Sequence, residues 1–143
     1  MNIYISKHFR SSEFACPDCG KDRPIDSKLI YLLQSLRDKL NKPIYISRGG
    51  GIRCKKYNKQ IGGYVDSPHL YGKATDCKAK NISLIDFARE ARGIGFPRVG
   101  LYRTFIHLDI IEPYPSASWV RDIQGKYHYF KTLEDAIIFS KEK

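Results

Sequence analysis

Two of the four histidines in this 143-residue chain, His69 and His107, lie in segments whose pattern could form a site. Asp76 lies seven residues after His69, and Asp109 lies two residues after His107. A catalytic zinc site commonly uses three protein ligands drawn from imidazoles and carboxylates and keeps one position for water. His69, Asp76 and His107 match such a site in the number and kind of their ligands. The alternative is that each histidine is an ordinary packed or surface residue, because either spacing also arises by chance.

The predicted strand over residues 104–111 determines where His107 points. Because side chains alternate along a strand, one face of this segment must be the core face. That face is aliphatic and carries Ile106, Leu108 and Ile110. His107 and Asp109, with Phe105, share the opposite face, which is how a polar site is built on a sheet.

The segment around Asp76 is predicted to bring a second pair of ligands together. Residues 73–79 indicate a short strand in which Asp76 points away from the side taken by Thr75 and Cys77. Gly72 allows the chain to turn just before this strand, so His69 can fold back beside Asp76. Cys77 is expected to face the core behind Asp76.

The remaining periodicity predicts helices and short strands that do not alternate as βαβ units. The clearest helix covers residues 24–41, with Asp26 as its N-cap and leucines at helical spacing. Further helices are predicted over residues 54–60, from Ser83 to Gly93 and after Thr132, and further strands over residues 43–47, 98–102 and 126–130. The three glycines of residues 49–51 indicate a loop. We therefore expect an α+β fold, a small antiparallel sheet flanked by helices.

Length and composition indicate one domain over residues 1–143, completed by a carboxy-terminal strand and helix in residues 126–143. Hydrophobic residues make up 42% of the chain, but no apolar run approaches the length of roughly 20 residues that a membrane span needs. The first residues, MNIYISKHFRSSEF, contain no long apolar stretch, so we expect no secretory signal. These features exclude a membrane protein, a coiled coil and a collagen-like fibre.

The chain is strongly basic, with 25 Lys and Arg against 15 Asp and Glu and a formal net charge of +10. A diffuse positive field raises encounter rates with polyanions. Nucleic acid and anionic cell-wall polymers both fit this property, and charge alone does not choose between them. A specific nucleic-acid module is not expected, because no motif combines aromatic and basic residues as RNA-binding modules do.

Four cysteines are present, and Cys16 and Cys19 form a single C-x-x-C pair. A zinc ribbon needs a second close pair, which the sequence lacks. The simpler interpretation is a turn with free or buried thiols, and the alternative is a three-cysteine structural site that also uses Cys54. Without a secretory signal, stable disulfides are not the default expectation.

The segment around His69 resembles a known family. Ser67, His69, Gly72, Ala74 and Asp76 follow the pattern S-x-H-x-x-G-x-A-x-D of the M15 zinc peptidases. This family includes D-Ala-D-Ala carboxypeptidases, dipeptidases and phage L-alanyl-D-glutamate endolysins and is related in fold to the hedgehog signalling domain. HLYGKATD is similar to the HLYGRAAD of its phage and bacterial M15A-like branch. Further segments that resemble this branch are HFRSSEFACPDCG, IYISRGGGIRC, YNKQIGG, VGLY and FIHLDI, so the resemblance runs from about residue 8 to residue 109.

The resemblance implies roles for individual residues. His69, Asp76 and His107 would be the zinc ligands. Many relatives place the general base three residues before the last histidine, as an acid, or two residues before it, as a histidine. Thr104 and Phe105 occupy those positions and cannot serve. Asp109 is the expected base, and the other interpretation is that it orients a ligand.

Four more residues receive roles from the resemblance. Arg53 matches the arginine of S-G-Y-R-C and would bind a substrate carboxylate or stabilise the oxyanion; otherwise it braces its loop. Ser67 would hydrogen-bond near the ligands, with a simple turn serine as the alternative. Tyr71 and Tyr102 would line the cleft, or serve only in aromatic packing.

The predicted function is a zinc-dependent peptidoglycan peptidase that hydrolyses an amide bond in the stem peptide or the cross-bridge. We expect an enzyme of phage or prophage endolysin type that is monomeric, made in the cytoplasm and released to the wall by a holin or carried on a virion. The alternative function is a non-catalytic, metal-containing module of the same fold that binds the cell wall. The sequence does not specify which peptidoglycan bond is cut.

Overall fold

The computed structural model describes residues 2–20, 24–111 and 118–142. Four α-helices are present in these residues: α1 (Ser27–Leu40), α2 (Lys55–Gln60), α3 (Leu84–Ile94) and α4 (Leu133–Lys141). Six strands accompany them: β1 (Ile44–Ile46), β2 (Ala74–Ala79), β3 (Arg98–Leu101), β4 (Ile106–Asp109), β5 (Ser118–Arg121) and β6 (Tyr127–Phe130). Two short 3₁₀ helices cover Ser11–Phe14 and Pro68–Tyr71. The fold is α+β, as the sequence predicts.

The six strands form one sheet in the order β1-β2-β4-β3-β5-β6. All neighbouring pairs are antiparallel except β3 and β5, which run parallel. Strand β5 was not predicted, because it is defined by its parallel pairing with β3, a contact between distant segments that its four residues, SWVR, do not indicate. The sheet is therefore antiparallel for the most part, with one parallel pair that the sequence pattern does not indicate.

Helix α1 shows how local sequence fixes an element. The Asp26 side chain accepts a hydrogen bond from the Lys28 N–H and caps the helix, as predicted. Asn41 ends it in a left-handed conformation, with φ 49°. The buried face of the helix contributes Leu29, Ile30, Leu32, Leu33 and Leu36 to the core.

One hydrophobic core joins the two ends of the described chain, from Phe9 to Ile137. Helix α3 begins at its predicted cap, Ser83, and packs on β3. Helix α4 begins after its predicted cap, Thr132, and packs on β5 and β6. Residues 126–142 thus contribute a strand and a helix to the same core as the rest of the chain.

None of the helices in the described ranges has both the length and the apolar character needed to cross a membrane. The longest, α1, has 14 residues. A helix of that length spans about 21 Å, which is shorter than the ~30 Å hydrocarbon core of a bilayer.

The centre of the sheet positions the polar residues predicted to act together. Asp76 of β2 and His107 of β4 are direct partners in the antiparallel ladder. The loop over residues 47–54 lies against β2, where the Asp76 N–H donates to Gly50 O at 2.8 Å and the Ser47 N–H donates to Asp76 O at 2.9 Å. A Cβ atom at Gly50 would lie 2.7 Å from Asp76 O, so this position needs glycine for close approach of the two backbones.

Candidate metal centre

Three side chains from three elements converge at the middle of the sheet. His69 comes from the second 3₁₀ helix, Asp76 from β2 and His107 from β4. One potential ligand atom from each lies within 4.8 Å of the others. Asp76 Oδ1 is 3.3 Å from His69 Nε2 and 2.9 Å from His107 Nδ1. All three residues are buried, so the ligand atoms face one another in a site largely screened from solvent.

The orientation of His69 is fixed by its backbone surroundings. Its Nδ1–H donates to Gly51 O at 2.8 Å, which leaves the Nε2 lone pair directed toward Asp76. The Ser67 hydroxyl accepts from the His69 N–H at 3.2 Å and caps the 3₁₀ helix. This contact fits both roles expected of Ser67, the turn serine and the hydrogen bond near the ligands. The bond from Nδ1–H to Gly51 O fixes the His69 tautomer that a metal ligand at Nε2 requires.

His107 lies between two carboxylates. Its Nδ1 faces Asp76 Oδ1, and its Nε2–H donates to Asp109 Oδ2 at 2.8 Å. A carboxylate on the second nitrogen of a histidine ligand is a recurrent feature of metal sites, because it fixes the ring and raises the basicity of the coordinating nitrogen. Both ring nitrogens are therefore held in defined roles.

The electrostatics of the three residues suit a cation. Burial lowers the pKa of His69 and favours its neutral form. Burial opposes ionisation of Asp76, but the two histidines outweigh it and hold the pKa of this carboxyl well below its usual range. Burial also opposes protonation of His107, yet hydrogen bonds to Asp109 and Asp76 raise its pKa to about 9. In the metal-free chain a proton on His107 supplies the positive charge between the two carboxylates.

The donor set fits a divalent metal of the zinc type. Two imidazole nitrogens and one carboxylate oxygen converge, and three protein ligands are the number typical of catalytic zinc sites. His69 and His107 both use their remaining nitrogens in hydrogen bonds to acceptors, so the converging atoms are the ones free to coordinate. The residues present can thus hold the metal predicted from the sequence.

Asp109 is fully buried and has three partners. Besides His107, its Oδ1 accepts from the Ile111 N–H at 3.1 Å, and its Oδ2 forms an ion pair with Arg98 Nε at 3.2 Å. The carboxylate thus lies at the His107 nitrogen that does not face Asp76. This geometry favours the orienting role over the general base, the two roles that the sequence left open.

Arg53 reaches the metal centre through Asp76. Its Nη2 donates to Asp76 Oδ2 at 2.9 Å, and its Nε donates to Gly49 O at 2.8 Å. A third contact joins Nη1 to Asn58 Oδ1 at 3.2 Å. The guanidinium holds the carboxylate oxygen opposite the one that faces the histidines. Arg53 therefore lies at the site, braced on its own loop as well as bound to a ligand.

The two predicted cleft tyrosines differ in position. Tyr71 lies on the exposed side of the second 3₁₀ helix, and its hydroxyl donates to Asp66 Oδ1 at 2.7 Å. Tyr102 lies closer to the ligands, with its ring centroid 6.4 Å from that of His107 and stacked on Phe105 at 4.6 Å. Tyr102 is thus the one of the pair that adjoins the ligands.

Trp119, from the unpredicted strand β5, also contacts the centre. Its ring centroid is 5.2 Å from that of His107, and its Nε1–H donates to the Tyr102 hydroxyl at 3.3 Å. Gly100 lies between His107 and Trp119 in the strand register, and a Cβ at this position would collide with the indole. The missing side chain at Gly100 therefore allows the indole to pack beside a metal ligand.

An aromatic wall extends from the centre across β6. We use this name for Tyr102, Trp119, Tyr127 and Tyr129. Tyr127 and Tyr129 stack at 6.3 Å, and each contacts one of the two inner members of the wall. Tyr129 is 70% exposed, so the outer end of the wall is open to solvent.

Sequence reasoning assigned no role to two residues that support the ligands. Asn58 is buried, accepts from Arg53 and donates to Tyr64 O at 2.7 Å. The asparagine of YNKQIGG, within the segment that resembles H-N-x-x-x-G-G, was its available signal. Arg98 gave no signal, because its partner Asp109 lies on the neighbouring strand and is reached only in the folded sheet.

Comparison with known proteins agrees with this geometry. The sequence model of the peptidase M15 family matches residues 7–109, a range that contains all three ligands and Asp109. The chain belongs to the peptidase M15 family. Among curated proteins it is similar to the zinc D-Ala-D-Ala carboxypeptidase of Streptomyces albus G, with 34% identity over 71 residues. That match covers 49% of this chain and 27% of the relative, so the chain matches about a quarter of the relative's length.

Proposed function

We propose that the protein is a zinc-dependent peptidase that hydrolyses an amide bond in the stem peptide or cross-bridge of peptidoglycan. The observation that carries this proposal is the convergence of His69, Asp76 and His107 within a matched M15 segment. The Streptomyces relative, named as a zinc D-Ala-D-Ala carboxypeptidase, supports the metal and the substrate class. The net charge of +10 suits a substrate embedded in an anionic wall.

His69 Nε2, Asp76 Oδ1 and His107 Nδ1 are the atoms that would hold the metal. When bound, zinc supplies Lewis acidity, which polarises an amide carbonyl and lowers the pKa of water to about 7. The protein contributes the fixed ligand geometry and a buried setting, in which electrostatic interactions are stronger than in water.

Arg53 supports this chemistry by holding Asp76. Its bond to Asp76 Oδ2 leaves Oδ1 directed at the two histidines. The guanidinium also places a permanent positive charge beside the ligands, which would favour a substrate carboxylate or an oxyanion. The attraction of a substrate carboxylate or an oxyanion is the role that the sequence suggested for Arg53, and the support of Asp76 is additional to it.

Asp109 is proposed as a positioning residue. It is fully buried and uses both oxygens, one on the His107 Nε2–H and Arg98 and the other on the Ile111 N–H. A general base must reach the proton that it abstracts within hydrogen-bonding distance or through one water. The contacts of Asp109 instead direct it at the ring of a ligand.

A second candidate function is a cell-wall-binding module that keeps the metal without catalysis. The observation in its favour is that Asp76 and Asp109 are the only carboxylates hydrogen-bonded to His69 and His107 in the described residues. Asp76 is a proposed ligand and Asp109 supports one, so neither is free to act as a base. The two functions differ in whether peptidoglycan is cut.

Within the peptidase proposal, the endolysin type rests on the similarity of HLYGKATD to the phage and bacterial branch of the family. An enzyme of this type would act on the wall after release from the cell that makes it. Identification of the bond that is cut would separate it from a carboxypeptidase, because an endolysin cuts within the stem and a carboxypeptidase removes a terminal residue.

The test is mass spectrometry of purified peptidoglycan after incubation with the zinc-loaded protein. We expect new peptide fragments, whose masses name the bond. The matched control is His69→Ala, which removes one ligand and should yield no fragments. Intact peptidoglycan from several wall chemotypes, together with retained wall binding, would overturn the peptidase and support the binding module.

A further inference from the structure

A second group of metal-binding side chains lies apart from the candidate metal centre. The thiols of Cys16, Cys19 and Cys54 lie within 4.8 Å of one another. Two come from one turn near the amino terminus, and Cys54 comes from 35 residues or more further along the chain as the N-cap of α2. All three are free thiols. The fold thus assembles the three-cysteine group that the sequence offered only as an alternative.

The turn that carries two of the thiols directs them to one side. The Gly20 N–H donates to Cys16 O at 2.8 Å, and Gly20 has a φ of 63°, which glycine adopts without strain. The chain therefore reverses tightly around Pro17 and Asp18. A short C-x-x-C turn of this kind is the usual source of two zinc ligands in structural sites.

Backbone N–H groups point at two of the sulfur atoms. The Cys54 N–H donates to Cys16 Sγ at 3.4 Å, and the Tyr57 N–H, in the first turn of α2, donates to Cys54 Sγ at 3.4 Å. Each of these N–H donors favours the thiolate, which is the form that binds a metal, although burial and the neighbouring Cys16 and Asp18 outweigh the Tyr57 N–H and raise the pKa of Cys54. These contacts are available before any metal binds.

A carboxylate lies beside one of the thiols. Asp18 Oδ2 accepts from the Cys54 thiol at 3.5 Å. We propose that Cys16, Cys19 and Cys54 bind a structural zinc ion. Thiolate-rich ligand sets are characteristic of structural zinc sites, and soft thiolates select zinc over magnesium or calcium.

The three-cysteine site lies next to the loop that supports the candidate metal centre. The Ile52 N–H donates to Phe14 O at 2.8 Å, so the amino-terminal segment already pairs with the loop that precedes Cys54. That loop also carries Gly51 O, the acceptor of His69 Nδ1–H, and Arg53, the partner of Asp76. A zinc ion at the cysteines would lock the loop in place and so support the candidate metal centre. This second effect rests on the proposed function, whereas metal binding by the cysteines does not.

Metal content of the full-length chain tests the proposal. The protein is purified under reducing conditions, reconstituted with zinc, desalted and analysed by elemental mass spectrometry. We expect two zinc ions per chain in the wild type, one in Cys16→Ser/Cys54→Ser and one in His69→Ala/His107→Ala. The matched control is Cys77→Ala, because Cys77 is a fourth free cysteine, buried in β2 outside the group, and its variant should keep two.

Cobalt substitution identifies the ligands. Cobalt bound by thiolates gives charge-transfer absorption in the near ultraviolet, and the histidine and carboxylate site contains no thiolate. We expect this absorption to persist in the double histidine variant and to be lost in the double cysteine variant. If the double cysteine variant fails to fold, Cys19→Ser replaces it, because Cys19 is exposed and its substitution leaves the core intact.

Three results would overturn the proposal. The first is a single zinc ion that only the histidine variants remove. The second is the absence of thiolate absorption in the cobalt form. The third is a disulfide in the group, seen as incomplete alkylation of the denatured chain without reductant. A chain with two zinc ions that leaves peptidoglycan uncut would keep this site and remove only the proposed function.

Discussion

Asp76 and His107 are paired across the β2–β4 ladder, and His107 Nδ1 lies 2.9 Å from Asp76 Oδ1. The strand register alone brings these two ligands together, although 31 positions separate them in the sequence. Only His69 comes from outside the sheet, and the turn at Gly72 returns it to β2. Two of the three ligand positions thus depend on an interior pairing of the sheet, in which each strand has a neighbour on both sides.

The first prediction concerns Asp109. Substitution Asp109→Asn keeps the size of the side chain but weakens the charge-assisted bond to the His107 Nε2–H. Loss of such an outer partner typically lowers metal affinity 10–100-fold, so we expect a decrease of that size in zinc affinity. The measurement is zinc competition against a chromogenic chelator, with peptidoglycan hydrolysis followed at saturating zinc.

The same measurement distinguishes a positioning residue from a general base at Asp109. A positioning residue predicts that saturating zinc restores a substantial part of the activity of Asp109→Asn. Unchanged zinc affinity with complete loss of hydrolysis would instead make Asp109 the general base. Asp122→Asn is the matched control. Asp122 also pairs with a histidine, His128, but this pair lies in and after the turn before β6 and includes no proposed ligand.

The outcome for Asp109 shows what the sequence could and could not predict. Alternation along residues 104–111 placed His107 and Asp109 on one face, and both are on the site side of β4. The same local pattern cannot show which ring nitrogen faces which carboxylate. That depends partly on β3, because Arg98 of that strand, together with the Ile111 N–H just after β4, holds the carboxylate in place.

The same limit applies to the elements. Helix α1 and the caps at Asp26, Ser83 and Thr132 were predicted, because they depend on residues only a few positions apart. Strand β5 was not predicted, and the convergence of Cys54 on the C-x-x-C turn was only an alternative, because both depend on contacts between distant segments. Resemblance to the family motif supplied the proposed ligand set, because such a motif marks residues that come together only in the folded protein.

The second prediction concerns pH and the metal-free protein. The folded pKa of His107, about 9, lies above the ordinary value of 6.5. Its protonation therefore stabilises the fold fully below pH 6.5, and this contribution is lost as pH rises through about 9. The shift corresponds to roughly 3 kcal/mol of unfolding free energy for this buried group. The measurement is urea denaturation with a chelator present, at intervals from pH 6 to pH 9.5.

A second group titrates in the same range with the opposite sign. Burial alone would raise the pKa of the Cys16 thiol, but backbone N–H donors, that of Cys19 first, lower it to about 7. Its contribution to stability therefore increases above pH 7. The comparison is wild type against His107→Gln, in which Cys16 is unchanged. Equal pH dependence in the two proteins would show that His107 is not protonated in the metal-free fold.

The third prediction concerns the exposed end of the aromatic wall. Tyr129 is 70% exposed and packs on Tyr127 and on Trp119, which in turn contacts His107. An exposed ring there offers a surface on which a peptidoglycan strand can pack. We expect Tyr129→Ala to raise KM for a soluble peptidoglycan fragment about 5-fold, equivalent to ~1 kcal/mol, with kcat little changed.

Tyr31→Ala is the matched control for the aromatic wall. Tyr31 is 71% exposed on α1, and its removal tests the loss of a surface tyrosine away from the wall. KM should stay unchanged in this variant. An equal rise in KM in both variants, or no rise in Tyr129→Ala, would remove the wall from substrate binding.

The last prediction concerns Gly50, which brings the loop over residues 47–54 against β2. A Cβ at this position would lie 2.7 Å from Asp76 O and 2.8 Å from Ser47 O, both backbone atoms that cannot rotate away. Gly50→Ala should therefore destabilise the fold by about 1–3 kcal/mol, the usual cost of overpacking. Because the displaced backbone belongs to Asp76, we also expect a lower zinc affinity than that of the wild type.

The control for Gly50→Ala is Gly93→Ala, in α3. A Cβ at Gly93 would meet only Lys39 Nζ, at 3.8 Å, and alanine favours a helix over glycine by about 1 kcal/mol. Thermal and urea unfolding of the two variants should therefore shift in opposite directions, and only Gly50→Ala should release zinc more readily. If Gly50→Ala kept the stability and the zinc affinity of the wild type, the loop would not lie against Asp76 as described, and the support given to the ligands by Arg53 would lose its basis.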